Sequence, residues 1–195
     1  MTRRTETIPV SYFDDLYTAN ADPWRFRTSS YERDKYAQTL AMLDRARFGS
    51  VLEIGCSVGV FTRLLAPRCD RLLAIDGSQI ALDAAREECR AVPHVSFLAA
   101  TVPEYFPAGS FDLIVMSEVL YYLTAEDVAQ TAKLARNALG PAGRILCCHW
   151  LGETDYPLTE DAAVAALAAA LGPEAFTQDT QRHDAYRLDI FRPRP

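Results

Sequence analysis

From Ser50 onward, short apolar runs alternate with stretches whose apolar residues recur at helical spacing. Val51-Leu52-Glu53-Ile54 is too short for a helix and reads as a strand. After a glycine-containing turn, Val60, Phe61, Leu64 and Leu65 share one helical face. A second strand spans Leu72 to Asp76, and Ser78 is placed to cap a helix from Ile80 to Cys89. Further strands are expected at about His94 to Leu98 and Phe111 to Met116. Thr124-Ala125-Glu126-Asp127 opens a helix that closes at Gly140-Pro141, before a fifth strand from Arg144 to His149. An alanine-rich helix, Glu160 to Leu171, leads to two strands, about Ala175 to Gln181 and Ala185 to Arg192. No helix fits between these two, so they form an antiparallel hairpin. Alternation of strand and helix predicts an α/β fold: a seven-stranded, mostly parallel sheet with helices on both faces.

The first part of the chain has a different character. Tyr12, Phe13, Leu16 and Tyr17 suggest a short amphipathic helix, broken by Asn20-Ala21-Asp22-Pro23. Trp24-Arg25-Phe26-Arg27 then interleaves aromatics with cations. Ser29 and Glu32 match a capping box for a helix that carries Tyr36, Leu40 and Leu43 and ends near Phe48-Gly49. The expected organisation is one domain, 1–195, with helical cap residues 1–48 and a sheet core at 49–195.

Composition narrows the class. With 49% hydrophobic and 24% charged residues, the chain can bury an ordinary globular core. A formal charge of −6, with Lys35 and Lys133 the only lysines, argues against non-specific nucleic-acid binding. The five cysteines are odd in number and lack C-x-x-C spacing, which fits a reducing cytoplasm and neither a disulfide framework nor zinc. No apolar run approaches the roughly 18 residues of a membrane span, and there is no apolar leader segment. The expected partner is a small molecule, neutral or cationic; the sequence leaves the oligomeric state open.

The chemistry concentrates in Glu53-Ile54-Gly55-Cys56-Ser57-Val58-Gly59. Glycines let the backbone approach a ligand, and the helix that follows offers unpaired N–H groups. Asp76 follows Glu53 at close to the roughly 20 residues that separate such a turn from the acid that holds a ribose. In a dinucleotide fingerprint the third and sixth positions are glycines; here they are Ser57 and Val60. An acid at Glu53 would repel a pyrophosphate and suit the ammonium and sulfonium groups of S-adenosylmethionine (SAM). Ser57 at the middle position is tolerable if it keeps a negative φ. The same residues spell G-x-S-x-G, so a serine hydrolase with Ser57 as nucleophile, and Asp112 with His149 or His183, is an alternative that leaves Glu53 and Asp76 idle.

Glu53-x-Gly55-x-Ser57-x-Gly59 resembles motif I of the class I SAM-dependent methyltransferases, whose Rossmann-like sheet also ends in an antiparallel hairpin. The segment from Asp22-Pro23-Trp24-Arg25-Phe26-Arg27 to Lys35-Tyr36, with Leu64 to Asp70 and Ser117-Glu118-Val119-Leu120-Tyr121-Tyr122-Leu123, is similar to the nodulation protein S (NodS) family. That resemblance implies N-methylation of the free amine of a deacetylated chitooligosaccharide, with S-adenosylhomocysteine (SAH) as the second product. The N/D-P-P-Y/F segment of nucleic-acid amino-methyltransferases is missing. Small-molecule O-methylation and a non-catalytic SAM- or SAH-binding domain are the alternatives.

Ligands of open α/β sheets sit at the carboxyl ends of the strands. The cofactor set is therefore Glu53, Gly55, Cys56, Ser57, Gly59, Asp76, Gly77, Thr101, Val102 and Ser117, with Tyr31 and Tyr36 contributed by the cap. Trp24, Arg25, Tyr121, Tyr122 and Trp150 are expected to meet the substrate. Glu118 is expected to orient the acceptor amine and His149 to act as general base, with the reverse assignment open; no residue is assigned to a metal.

Overall fold

Seven strands form one sheet in the order β3-β2-β1-β4-β5-β7-β6: β1 Phe48–Ile54, β2 Cys69–Asp76, β3 Val95–Ala99, β4 Phe111–Ser117, β5 Leu139–Trp150, β6 Phe176–Arg182 and β7 Tyr186–Pro193. Six α-helices accompany them among the described residues: α1 Val10–Ala19, α2 Ser30–Ala41, α3 Val60–Leu65, α4 Gln79–Glu88, α5 Ala125–Ala138 and α6 Glu160–Leu171. The structure is a computed structural model that describes residues 2–194. Among the described residues contacts gather into two units, 9–100 and 2–8 with 101–194.

In the unit Pro9–Ala100, β1, β2 and β3 pair in parallel, with Leu52 opposite Leu73, Ile54 opposite Ile75 and Asp76 opposite Ala99. Val51, Leu52, Leu72 and Ile75 are fully buried, as parallel strands require. The expected caps form: Ser29 accepts from Glu32 N at 3.3 Å and Ser78 from Ala81 N at 3.4 Å. The second helix stops at Ala41, short of the expected Phe48-Gly49. Phe48 instead opens β1 opposite Cys69, and the Arg68 guanidinium donates to the carbonyls of Arg45 and Ala46 just before it.

In the other unit β4 and β5 are parallel, while β5–β7 and β7–β6 are antiparallel, so the closing hairpin forms as expected. Helix α6 has the expected bounds, and its N-cap Thr159 accepts from Ala162 N. Strand β5 starts at Leu139, well before Arg144, and takes in the expected stop signal Gly140-Pro141. Its register against β4 jumps between Phe111 and Leu113. Gly143 permits that jump, because a Cβ there would lie 2.8 Å from Phe111 O. Asp189 is buried on β7, where it takes a two-pronged bond from Arg187 and further bonds from Gln178 and Thr180. No helix among the described residues is long and apolar enough to cross a membrane.

Candidate active site

The turn after β1 is tied to the end of β2. Gly55 N and Cys56 N both donate to Ile75 O, at 2.8 and 3.0 Å, and Ser57 N donates to Asp76 Oδ2 at 2.9 Å. Gly55, Ser57 and Gly59 all have positive φ, at 78°, 50° and 80°. Ser57 thus departs from the expected negative φ. A left-handed non-glycine residue costs about 1–2 kcal/mol, and two bonds offset that: its N–H to Asp76 and its hydroxyl to Tyr17 Oη at 2.6 Å. Gly59 is fixed by packing, since a Cβ there would lie 2.8 Å from the Cα of Ala85 on α4.

Two carboxyls stand behind this turn. Glu53 is 2% exposed, and its Oε2 has no hydrogen-bond partner among the described residues. Burial pushes its pKa up to about 8; Asp76 adds to the rise and the Thr62 hydroxyl opposes it. A buried carboxyl oxygen without a donor is a place for a cationic group and a poor place for a phosphate. Asp76 is also raised by burial, opposed by the backbone N–H groups of Ser78 and Ser57, with Asp14 adding to the rise. Each Asp76 oxygen accepts one backbone N–H and keeps a lone pair for a ribose hydroxyl. Ser78 Oγ donates in turn to Asp14 Oδ1 at 2.5 Å. The donor set therefore fits SAM: Glu53 beside cationic groups, Asp76 for the ribose, and the open turn for close backbone approach.

Helices α1 and α2 and the loop between them supply an aromatic row. Trp24 packs edge-on to Tyr17 and stacks on Phe26, Phe26 meets Tyr36, and Tyr36 lies 5.0 Å from Phe61 of α3. Asp22 organises the loop by accepting from Phe26 N and Arg27 N at 2.8 and 3.0 Å. The Lys35 ammonium is buried against Glu32 at 2.9 Å, with the Tyr31 ring 5.4 Å and the Tyr36 ring 6.0 Å from it.

In the other unit, Glu118 follows β4 with φ of 57° and donates its N–H to Cys148 O. Its Oε2 accepts from Tyr121 Oη at 2.5 Å and from Trp150 N at 2.9 Å, which ties the ends of β4 and β5 together. Tyr121, Tyr122 and Tyr156 pack as one cluster, with centroids 4.7 Å apart for Tyr121–Tyr122, 5.6 Å for Tyr121–Tyr156 and 4.6 Å for Tyr122–Tyr156. Burial raises the Tyr121 and Tyr122 phenols well above their ordinary value. The Glu118 charge adds most to the Tyr121 rise and Tyr156 to that of Tyr122. These phenols stay neutral. Trp150 is 41% exposed, and its indole lies over Gly152.

The family description of nodulation protein S (NodS) matches residues 14–139, well over half of the chain. The chain belongs to the nodulation protein S family. Nodulation protein S of Bradyrhizobium diazoefficiens is 34% identical over 174 residues, which cover 83% of this chain and 78% of that protein. Its counterpart in Sinorhizobium fredii is 36% identical over 132 residues, covering 66% of this chain and 60% of that one. The N-methyltransferase NodS from Bradyrhizobium japonicum WM9, solved in complex with SAH, matches with a TM-score of 0.82 at 27% identity, over 95% of this chain and 98% of that chain. The fold is that of the class I methyltransferases.

The expected residues lie at several places in the fold. Glu53, Gly55, Cys56, Ser57, Gly59, Asp76 and Gly77 gather at the ends of β1 and β2; the Cys56 thiol is buried, and burial raises it well above its ordinary pKa. Tyr31 and Tyr36 both lie beside the Lys35 ammonium. Arg25 is exposed, with φ of 60°. Thr101 and Val102 follow β3, Val102 buried, and Ser117 closes β4. His149 is completely buried and packs edge-on to Tyr121 at 5.4 Å. His183 stacks on Tyr186, and His94 bonds Ala66 O. The hydrolase alternative finds no support, because the Ser57 hydroxyl is engaged by Tyr17, whose phenol burial drives upward, away from use as a base. Sequence reasoning gave no role to Tyr156, Tyr17 or Asp14; for the last two the only signal was their shared spacing on α1.

Proposed function

We propose that this SAM-dependent methyltransferase acts on the primary amine of an amino sugar, of the kind exposed in a deacetylated chitooligosaccharide. The observation that carries the reading is Glu118: a carboxylate held at the end of β4 with φ of 57°, among Tyr121, Tyr122 and the exposed Trp150. The non-glycine residues with positive φ among those described are Arg25, Ser57 and Glu118. Strain of this kind persists where the surrounding structure imposes it, and such positions cluster at functional sites. An amino sugar has a charged or hydrogen-bonding rim and an apolar C–H face. A carboxylate beside tyrosine and tryptophan rings offers a partner for each.

SAM supplies a methyl group already activated by the sulfonium charge. The chain's part is to hold the acceptor nitrogen in line and to keep it neutral, because an ammonium has no lone pair. Positioning alone can supply roughly 7–11 kcal/mol. Glu118 is half-buried and His149 fully enclosed behind Tyr121. This difference supports Glu118 as the group that meets the amine and takes its proton, with His149 fixing the Tyr121 ring. Residues 9–48 are assigned to a cap over the cofactor turn of their own unit; residues 2–8, expected with that cap, gather with the other unit instead. The five buried cysteines suit a cytoplasmic setting, and the charge of −6 disfavours a nucleic-acid partner.

The test is SAH release by the full chain with glucosamine, short chitosan oligomers and their N-acetylated counterparts. The reading requires turnover with the free amines and none with the acetylated forms. In Glu118→Gln, turnover should fall at least about a hundred-fold, the range of general-base effects, with SAM affinity kept. Equal turnover of acetylated and free sugars would point to a hydroxyl acceptor and sink the amine reading.

A further inference from the structure

Residues 3–8 contain no helix or strand, yet they are heavily bonded within their unit. Arg3 Nη1 donates to Tyr156 O at 3.0 Å and Leu158 O at 3.2 Å. Arg4 N donates to Asp155 O at 2.8 Å, and its guanidinium pairs with the Asp155 carboxylate at 3.1 Å. At the other end, Thr7 Oγ1 donates to Asp127 and accepts from Thr124 N, while Ile8 N donates to Tyr122 O at 2.8 Å. The segment is therefore fastened at one end to loop 151–159 and at the other to the turn that carries Tyr121 and Tyr122. Loop 151–159 has no secondary structure of its own. Besides the arm, it is held near Tyr156 by Leu158 N on Tyr121 O at 3.4 Å, by the ring contacts of Tyr156 and by a side-chain hydrogen bond between Tyr156 and Tyr122.

Tyr156 is half-buried. Its ring lies parallel to that of Tyr121, at 22°, and Tyr121 is the residue that bonds Glu118. A tyrosine in this position extends the aromatic surface next to the carboxylate, and Arg3 helps to place it by holding its backbone carbonyl. We propose that Tyr156 is a specificity-determining contact for the acceptor sugar and that Arg3 and Arg4 are its positioning residues. The proposal rests on the amino-sugar reading above. A guanidinium suits the task because one nitrogen reaches two carbonyls in a fixed geometry, which a lysine ammonium matches only in part.

The test compares wild type, Arg3→Ala/Arg4→Ala, Arg3→Lys, Tyr156→Ala, Tyr156→Phe and the combination of Tyr156→Ala with the arm variant. In steady-state assays with chitosan oligomers, the arm variant and Tyr156→Ala should each raise the acceptor KM about ten-fold, with kcat within about two-fold, the signature of lost uniform binding. SAM affinity by calorimetry should not move. Arg3→Lys should recover part of the loss, and Tyr156→Phe should lose less than Tyr156→Ala. The combined variant should be no worse than Tyr156→Ala alone, since both remove one interaction. Additive losses, an unchanged KM, or a fall confined to thermal stability would each overturn the proposal. If wild type accepts no amino sugar, the substrate reading has failed separately. The arm is then judged by hydrogen exchange of residues 151–159, which should quicken in Arg3→Ala/Arg4→Ala; unchanged exchange there refutes it.

Discussion

Glu53 offers the sharpest test of the cofactor site, through pH. Its carboxyl is raised from 4.5 to about 8, chiefly because it is buried. The folded protein therefore keeps a proton that the unfolded chain loses near pH 4.5. The sign follows: the Glu53 contribution to stability is fully present below pH 4.5, shrinks as pH rises through the window to about 8, and is gone above it. At about 1.4 kcal/mol per pH unit, that window amounts to roughly 5 kcal/mol as an upper bound. A cation bound beside Glu53 reverses this preference and selects the ionised form. At pH 7 only about a tenth of ligand-free molecules carry that form, and at pH 6 about a hundredth, and apparent affinity falls by the same fractions. SAM binding should thus tighten about ten-fold from pH 6 to pH 7 and release close to one proton at pH 7. Calorimetry in buffers of different ionisation enthalpy reads both quantities. The ligand's own amine also titrates, but equally for wild type and Glu53→Gln, so the difference between the two profiles isolates Glu53. Identical pH profiles for wild type and Glu53→Gln would refute a cation site at this carboxyl.

Two further outcomes follow from the geometry. Asp76→Ala should weaken SAM binding about ten-fold or more, the range of roughly 1.5–3 kcal/mol expected for a hydrogen bond to a charged group. Asp76→Asn keeps one acceptor oxygen and should lose less, and wild-type affinity by calorimetry in Asp76→Ala would reject the ribose assignment. Gly152→Ala places a Cβ 1.9 Å from the Trp150 ring, so the indole must swing away. Tryptophan emission should shift and the acceptor KM should rise with SAM affinity unchanged; an unaltered KM would remove Trp150 from the acceptor surface.

Much of the fold was legible in the order of residues, because its cues are local. Helix α6 runs from Glu160 to Leu171, the bounds its alanine-rich stretch implies, and the structure adds Thr159 as its cap. The capping pair Ser29–Glu32, the Ser78 cap and the hairpin inferred from too short a connection rest on residues within a few positions of one another. The spacing of Glu53, Gly55, Ser57, Gly59 and Asp76 was likewise readable, since a strand, a turn and a strand deliver them in sequence. What the sequence could not decide depended on partners far along the chain. Ser57 adopts a positive φ because Asp76 and Tyr17, 19 and 40 positions away, hold it there. Strand β1 begins at Phe48 because it pairs there with Cys69, and Arg68 anchors the carbonyls just before it. Glu118 meets the backbone of Trp150 across 32 positions, and Arg3 fixes Tyr156 across 153. Periodicity and turn chemistry act over one or two turns of backbone, whereas the hydrogen-bond partner of a side chain is chosen only when the folded chain brings distant segments together.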